Sequence, residues 1–426
     1  MGTHLIATVD FGSDKISAAL GKIEDDFLDI IGSKSEQSEG IEKGLITDAS
    51  KCSQVVKKLF SEMQSLSEMK ITQIYAGISS RNIRLSDGFA GTEIKGDYVT
   101  GDDIKDAMNI AYRKAELSEG EEVVDIIINF YKLDNKIIYE NVLGEFGNKL
   151  EIDFSILIGK KQEIEKFKQI IKESGYQCGG LILNSIAGKN IFINGKSALG
   201  VRAIVDIGAG TTDYAIYSNG VLKYINCRPI GGKNISTDIS ICGEYTISVA
   251  EQIKKNYSEF YESEYLASKT PDVISVGLEK VSKELFYEVA RTRLEEIIKY
   301  VNMDLKNTSF YGGLCSIIIY GDGIVYFENI KNTIQSQITK KVIIADNKYL
   351  GMKKTSNITS LALLQEVYNR YNLLSDSNPN IKKHSVEYKN SKEEDFEEDF
   401  EEEDFKENGI IDKIKNLLVG IFKGRN

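Results

Sequence analysis

The stretch Ile204 to Gly220, IVDIGAGTTDYAIYSNG, decides how this chain is built. A β-branched run, Ile204 and Val205, ends in an acid, Asp206, and a glycine-spaced turn follows with Thr211, Thr212 and a second acid, Asp213. Alternation then resumes up to Asn219 and Gly220. The pattern predicts a β-hairpin whose tip is a phosphate loop. Gly208 and Gly210 can take positive φ, so that consecutive N–H groups can point at one anion while the hydroxyls of Thr211 and Thr212 add donors. Acids on both flanks of the turn imply that the anion arrives with a cation. A glycine hairpin needs no ligand, so the stretch alone leaves a purely structural turn open.

A second copy near the amino terminus changes the balance. Thr8 to Gly21, TVDFGSDKISAALG, has the same order: an apolar run, an acid (Asp10), a glycine and a hydroxyl (Gly12, Ser13), then a strand-like continuation. Two such hairpins far apart in one chain point to a duplicated domain gripping one polyphosphate from both sides.

The length of 426 residues suits a two-lobed body with a tail. A net charge of −11 argues against general nucleic-acid binding, which needs clustered Lys and Arg. Cys52, Cys178, Cys227, Cys242 and Cys315 lie far apart without CxxC spacing, and there are only 2 histidines, so free buried thiols are expected rather than a zinc site. The amino terminus shows no signal-peptide pattern, and no stretch is long and apolar enough to span a bilayer.

Along the chain, GIEKGLITDASKCSQVVKKLFSEMQSL predicts a helix capped by Thr47 or Asp48, with Val55, Val56, Leu59, Phe60 and Met63 on one face. YVTGDDIKDAMNIAYRKAEL predicts a helix capped by Thr100 or Asp102, and a strand-rich stretch follows it up to LEIDFSILIGK. KQEIEKFKQIIKESGYQ is an amphipathic helix ended by Gly175. A connecting helix is expected in LILNSIAGKNIFINGKSALGVR, where Ser185, Ala187 and Gly188 allow close packing. RPIGGKNISTDISI and VAEQIKKNY give a Gly-Gly turn and two helices, and CSIIIYGDGIVYFENIKNTIQSQI reads as a buried strand, a glycine turn and a helix.

The tail has two parts. KEEDFEEDFEEEDFKENG has no apolar periodicity and is expected to be a solvated, disordered acidic linker. GIIDKIKNLLVGIFKGRN then places Ile410, Ile411, Ile414, Leu417, Leu418, Ile421 and Phe422 within one broad helical face, with Lys413, Lys415, Lys423 and Arg425 beside or opposite it. That pattern suits the surface of an anionic bilayer, with docking on the protein's own body as the alternative.

The paired hairpins, the KGLITD lead-in to the first helix, the Gly-Gly turn and the AE-x-x-K-x-x-Y run together resemble the FtsA family of bacterial cell-division proteins, actin-like ATP-binding proteins that tie the tubulin-like FtsZ to the membrane. The resemblance spans nearly the whole chain. It implies an α/β, actin-like two-lobed fold of duplicated ribonuclease-H-like domains. Subdomain 1A would comprise 1–83, 163–199 and 356–373, the inserted α+β subdomain 1C 84–162, subdomain 2A 200–230 and 308–355, and subdomain 2B 231–307, with the linker at 374–408 and the membrane helix at 409–426. It implies ATP and Mg2+ as ligands. Asp10 and Asp206 would hold the metal through its waters, Gly12, Ser13 and Lys15 would take one end of the phosphates, and Gly208, Gly210, Thr211 and Thr212 the other. Asp213 would serve either the cation shell or the hairpin itself. Gly321 and Gly323 fit the adenosine loop, although Asp322 stands between them where the family has a small residue. Asp206 is the best catalytic candidate by position, and turnover is expected to be slow or absent. The implied partners are the FtsZ C-terminal tail, met by subdomain 2B with Arg291 and Arg293 as candidates, further copies of the same chain, and the cytoplasmic membrane surface at the division site. A sugar or acetate kinase and a pilus-assembly ATPase relative are the rivals within the superfamily, and neither needs this tail.

Overall fold

β-Branched runs open the chain and adopt strand geometry at once. The computed structural model describes residues 4–374 except 25–26, 68, 140, 194–197, 259–272, 278 and 346–357. In it β1 (His4–Phe11), β2 (Lys15–Glu24) and β3 (Phe27–Gln37) form an antiparallel meander. Most of β1 and β2 is buried, because both faces of the sheet are covered. A short hairpin, β4 (Ile41–Glu42) and β5 (Leu45–Ile46), leads into α1 (Ala49–Gln64). Asp48 caps α1 by accepting from the Lys51 N–H at 3.0 Å, and Val56, Leu59, Phe60 and Met63 form its buried face. β6 (Gln73–Ile78) then runs parallel to β1.

The chain next leaves this sheet for a separate layer. β7 (Ile83–Glu93), α2 (Gly101–Arg113), β8 (Glu121–Leu133), β9 (Lys136–Ile138) and β10 (Lys149–Lys160) make a sheet of order β7-β10-β8-β9 with α2 packed on it. Thr100 and Asp103 form a capping box at the start of α2, and Ile104, Leu150, Ile152 and Phe154 belong to a core of their own. α3 (Lys161–Glu173) returns to the first lobe and ends at Gly175, whose φ of +94° suits a residue without Cβ. β11 (Gln177–Leu183) completes the sheet β11-β6-β1-β2-β3.

The connector differs from its sequence reading. Leu181, Ile182 and Leu183 are buried and pair in parallel with Ala76, Gly77 and Ile78, so this stretch is strand. Only then come two 4-residue helical turns, α4 (Asn184–Ala187) and α5 (Lys189–Phe192), jointed at Gly188. A Cβ on Gly188 would lie 2.9 Å from the Tyr320 hydroxyl, which is why the joint needs glycine.

The second lobe repeats the first. β12 (Val201–Ile207), β13 (Thr212–Ser218) and β14 (Val221–Arg228) form another antiparallel meander. α6 (Gly232–Gly243), α7 (Ile247–Tyr257), the ribbon of β15 (Val273–Val276) and β16 (Glu279–Ser282), and α8 (Lys283–Lys306) follow as a small outer unit. β17 (Leu314–Tyr320), α9 (Ile330–Gln335) and β18 (Val342–Ile344) close the sheet β14-β13-β12-β17-β18. In both lobes a three-strand meander is extended by two parallel strands, the order expected of a duplicated actin-like fold. Residues 375–426, with nearly all of the expected acidic linker and the whole expected membrane helix, lie outside the described residues.

α10 (Ile358–Leu374) crosses back onto β1 and β2 and also ties the inserted layer to the first lobe. Arg370 grips Asp125 of β8 with two N–H donors at 2.8 and 2.7 Å and also donates to Glu366 at 2.8 Å. Glu366 in turn accepts from Asn190 of α5 at 2.7 Å. Because the Asp125 and Glu366 side chains are only 10% and 16% exposed, removing the guanidinium takes the ion-pair partner from two little-exposed carboxylates and leaves them the Ile126 N–H and Asn190 donors. Arg370→Ala is expected to cost about 2–4 kcal/mol of unfolding free energy. Urea denaturation checks this, and an unchanged midpoint would show the grip to be idle.

The cysteines correct one expectation. Cys52 is buried, and burial pushes its thiol up to about 12, but Cys178 and Cys227 are half-buried and Cys242 and Cys315 exposed. All five are free.

Candidate functional site

Both acid-glycine hairpins form, and their tips meet. The β1–β2 turn presents Gly12 to Lys15, and the β12–β13 turn presents Gly208 to Thr211 against it. The contact is close enough that a Cβ on Gly210 would lie 2.5 Å from Ser13 Oγ and 3.1 Å from the Lys43 Cα. Neither Gly208 nor Gly210 uses the positive φ that is open to a glycine. Gly210 is required by approach rather than by backbone conformation. A Cβ on Gly208 would meet only the Thr211 carbonyl oxygen at 3.4 Å, an ordinary contact.

The second turn is pinned from behind. The N–H groups of Gly232 and Lys233, at the start of α6, donate to the carbonyls of Gly208 and Ala209 at 2.9 and 2.8 Å. The Gly323 N–H donates to the Ile207 carbonyl at 2.8 Å. Gly321, at φ +99°, is where both explanations apply: a Cβ there would also lie 2.4 Å from Asp206 Oδ1. The glycines of the β17 turn therefore let that turn lie directly on the end of β12.

Three acids converge on the floor. Burial pushes the Asp10 carboxyl up to about 6, although Asn184 Nδ2 donates to it at 2.8 Å. Asp206 is driven well above the usual carboxylate range by burial and by Asp213 and Asp10 nearby, with the Tyr320 hydroxyl against it as partial relief. The same hydroxyl is 3.4 Å from the Asn184 carbonyl oxygen, so Asn184 and Tyr320 link the acids of the two hairpins. Asp213 differs from the other two. It accepts from Ser79 Oγ at 2.9 and 3.1 Å and from the Ser80 N–H at 2.5 Å, both just past the end of β6, and so fastens one lobe to the other.

Other expected ligands are partly committed. The Thr212 hydroxyl is buried and donates to the Ile230 carbonyl at 2.8 Å. Lys15 forms an ion pair with Asp322, the acid that interrupts the glycine pair. Ser13 Oγ accepts from the Gly44 N–H at 3.1 Å. Among the described residues no group of three or more His, Cys, Asp or Glu is arranged to hold a metal directly. Burial disfavours the charged form of all three acids, Asp213 included, and Asp10 and Asp206 are the two not held by Ser79 and Ser80, an arrangement that suits a hydrated cation held through its waters.

Several contributors are invisible to motif reading. Asn184 sits in the connector and Tyr320 just before a glycine, while Ser79 and Ser80 lie just past β6, the strand expected from ITQIYAGIS, without a motif of their own. Lys233, directly after the Gly-Gly turn and at a helix start, carried the one usable signal. On the outer unit, Arg291 pairs with Glu295 at 2.9 Å, and Arg293 pairs with Glu296 and with Asp238 of α6.

Comparison with known proteins supplies the context for this geometry. Residues 203–363 match the family model described as Cell division protein FtsA, and residues 81–158 match the SHS2 domain inserted in FTSA. The cell division protein FtsA of Neisseria meningitidis serogroup B is 26% identical over 310 residues, which are 72% of this chain and 74% of that one. That of Bacillus subtilis is 24% identical over 373 residues, covering 85% and 83%. Among solved structures, the PilM-PilN type IV pilus biogenesis complex superposes with a TM-score of 0.56 at 11% identity, covering 87% of this chain and 96% of that one. MreB5 of Spiroplasma citri bound to ADP gives 0.50 at 15% identity, covering 87% and 98%. These structural likenesses establish the fold.

Proposed function

We propose that this chain, which belongs to the FtsA family of cell-division proteins and has an actin-like fold, binds ATP with Mg2+ between its lobes and tethers FtsZ filaments to the cytoplasmic face of the membrane at the division septum. The observation that carries the nucleotide reading is the meeting of two acid-glycine turns at Gly210 and Ser13, over the pair Asp10 and Asp206. MreB5, a neighbour of the same fold, is described bound to ADP, which supports a nucleotide in this position.

In this reading the backbone of Gly12 and Ser13 faces one end of the phosphate chain, and Gly208 to Thr211 the other. Lys15 adds a positive charge, Thr212 and Asp213 hold the second turn in place, and Gly321 and Gly323 admit the adenosine. Magnesium, when bound, neutralises phosphate charge. Asp10 and Asp206 would hold its waters, and the cation would in turn relieve the cost of keeping both carboxylates ionised. Asp206 is also the group placed to orient a water for hydrolysis, with slow turnover, so that ATP acts chiefly as an assembly ligand for copies of the same chain.

The unit built from α6, α7 and α8 is the proposed seat of the FtsZ tail. Arg291, with its side chain 51% exposed, is the more available cation, because Arg293 is shared between two carboxylates. Co-sedimentation of the full chain with FtsZ tail peptide and anionic liposomes tests the tether. Both should pellet together, and peptide binding should weaken in Arg291→Ala. Liposome pelleting without any peptide retention would remove the tether from the proposal.

A further inference from the structure

Three consecutive residues of the first turn, Ser13, Asp14 and Lys15, are each bonded to the opposite lobe. The Ser13 carbonyl accepts from Lys233 Nζ of α6 at 2.6 Å, the Asp14 carboxylate pairs with Lys255 Nζ of α7 at 3.3 Å, and Lys15 pairs with Asp322 after β17. The turn is equally fixed to its own lobe, since the Asp14 carbonyl accepts from the Ser38 N–H at 2.9 Å and from Gln37 Nε2 at 2.8 Å. The gripping side is braced as well. Lys254, next to Lys255, is buried and donates to the Gly232 carbonyl at 3.0 Å and to Glu251 at 2.9 Å, which fixes α7 to the start of α6.

We propose that residues 13–15 are a three-point electrostatic clasp that sets the rate at which the cleft between the lobes opens, and so the rate of nucleotide exchange. The inference rests on the reading of the cleft as a nucleotide site. Its physical basis is that the three contacts join protein to protein across the mouth, and separating the lobes must break all three. The pairs are partly exposed, with side-chain exposures of 27% and 35% for Lys15 and Asp322 and of 50% and 24% for Lys255 and Asp14, so dissolved salt can reach them. A clasp slows entry and release alike. A group that merely holds nucleotide slows release alone.

The test uses the full chain, a fluorescent ATP analogue with magnesium, and a chase of unlabelled ATP. Lys255→Gln and Asp14→Asn are each expected to speed release and entry by about two- to fivefold, the range for one partly exposed pair. The double variant should match Lys255→Gln, because Asp14→Asn removes the cross-lobe pair alone whereas Lys255→Gln removes that pair and also the Lys255–Glu251 pair at 3.3 Å within α7. Lys255→Arg should keep the wild-type rates, and raising salt should speed exchange in wild type more than in Lys255→Gln. Hydrogen exchange supplies a readout free of nucleotide: amides in 12–16 and 231–234 should exchange faster in Lys255→Gln. Failure of the wild type to bind the analogue would count against the nucleotide reading, and the clasp would then be judged on hydrogen exchange. Faster release without faster entry, or unchanged hydrogen exchange, would overturn the clasp.

Discussion

Gly210→Val is expected to abolish ATP binding while leaving the fold intact. A Cβ at this position falls 2.5 Å from Ser13 Oγ and 2.7 Å from Ser13 Cβ, and Val adds two methyls beyond it. The Ser13 side chain cannot easily retreat, because its Oγ accepts the Gly44 N–H and its carbonyl holds Lys233. The two turns must therefore separate, and a phosphate chain cannot be bonded from both at once. A loss of at least about 100-fold in affinity, about 2.7 kcal/mol, is the expected scale. Gly208→Ala is the matched control. Its Cβ meets only the Thr211 carbonyl oxygen at 3.4 Å and its φ is not positive, so it should bind within a few-fold of wild type. Thermal stabilisation by ATP and magnesium, compared across the two variants, reads the difference directly. Equal stabilisation in both would remove the nucleotide from the space between the turns.

How much of this could be read beforehand depends on the range of each interaction. The hairpins were legible because their signal is local: an apolar run, an acid, and glycines at fixed offsets all fall within a few residues. The caps at Asp48 and Thr100 are of the same kind, since a helix start is decided by its own first turn. The conformation of Gly208 and Gly210 was not legible, because a glycine is permitted positive φ without being obliged to use it. What demands glycine at 210 is Ser13, which is remote in sequence. The Ser79–Asp213 brace and the Lys15–Asp322 pair join residues separated by 134 and 307 positions, and no periodicity encodes a contact of that kind. The connector misled for a different reason. Leu181 to Leu183 form a short apolar run that suits a buried strand or a helix equally, and only the neighbouring β6 decides between them.

Placing Glu at both Leu417 and Ile421 is expected to release the protein from anionic liposomes and leave ATP binding unchanged. The segment lies outside the described residues, so the expectation rests on its sequence and on the physics of an interfacial helix. Seven large apolar residues from Ile410 to Phe422 would share one face of a helix, and each methylene buried in an interface contributes about 0.8 kcal/mol. Two carboxylates on that face remove two of its seven large apolar contributions and bring charge toward lipid of the same sign. The flanking Lys413, Lys415, Lys423 and Arg425 add roughly 1 kcal/mol each near an anionic surface, and that share is screened by salt. Pelleting should accordingly weaken with salt in wild type without vanishing, because the apolar share does not respond to screening. In the proposed arrangement the acidic stretch before residue 409 would be repelled by the same lipids, which would hold the body away from the bilayer, where filaments could reach it. Liposome pelleting that is unchanged in the double-Glu variant would show that the helix docks on protein, the alternative its amphipathic face also permits.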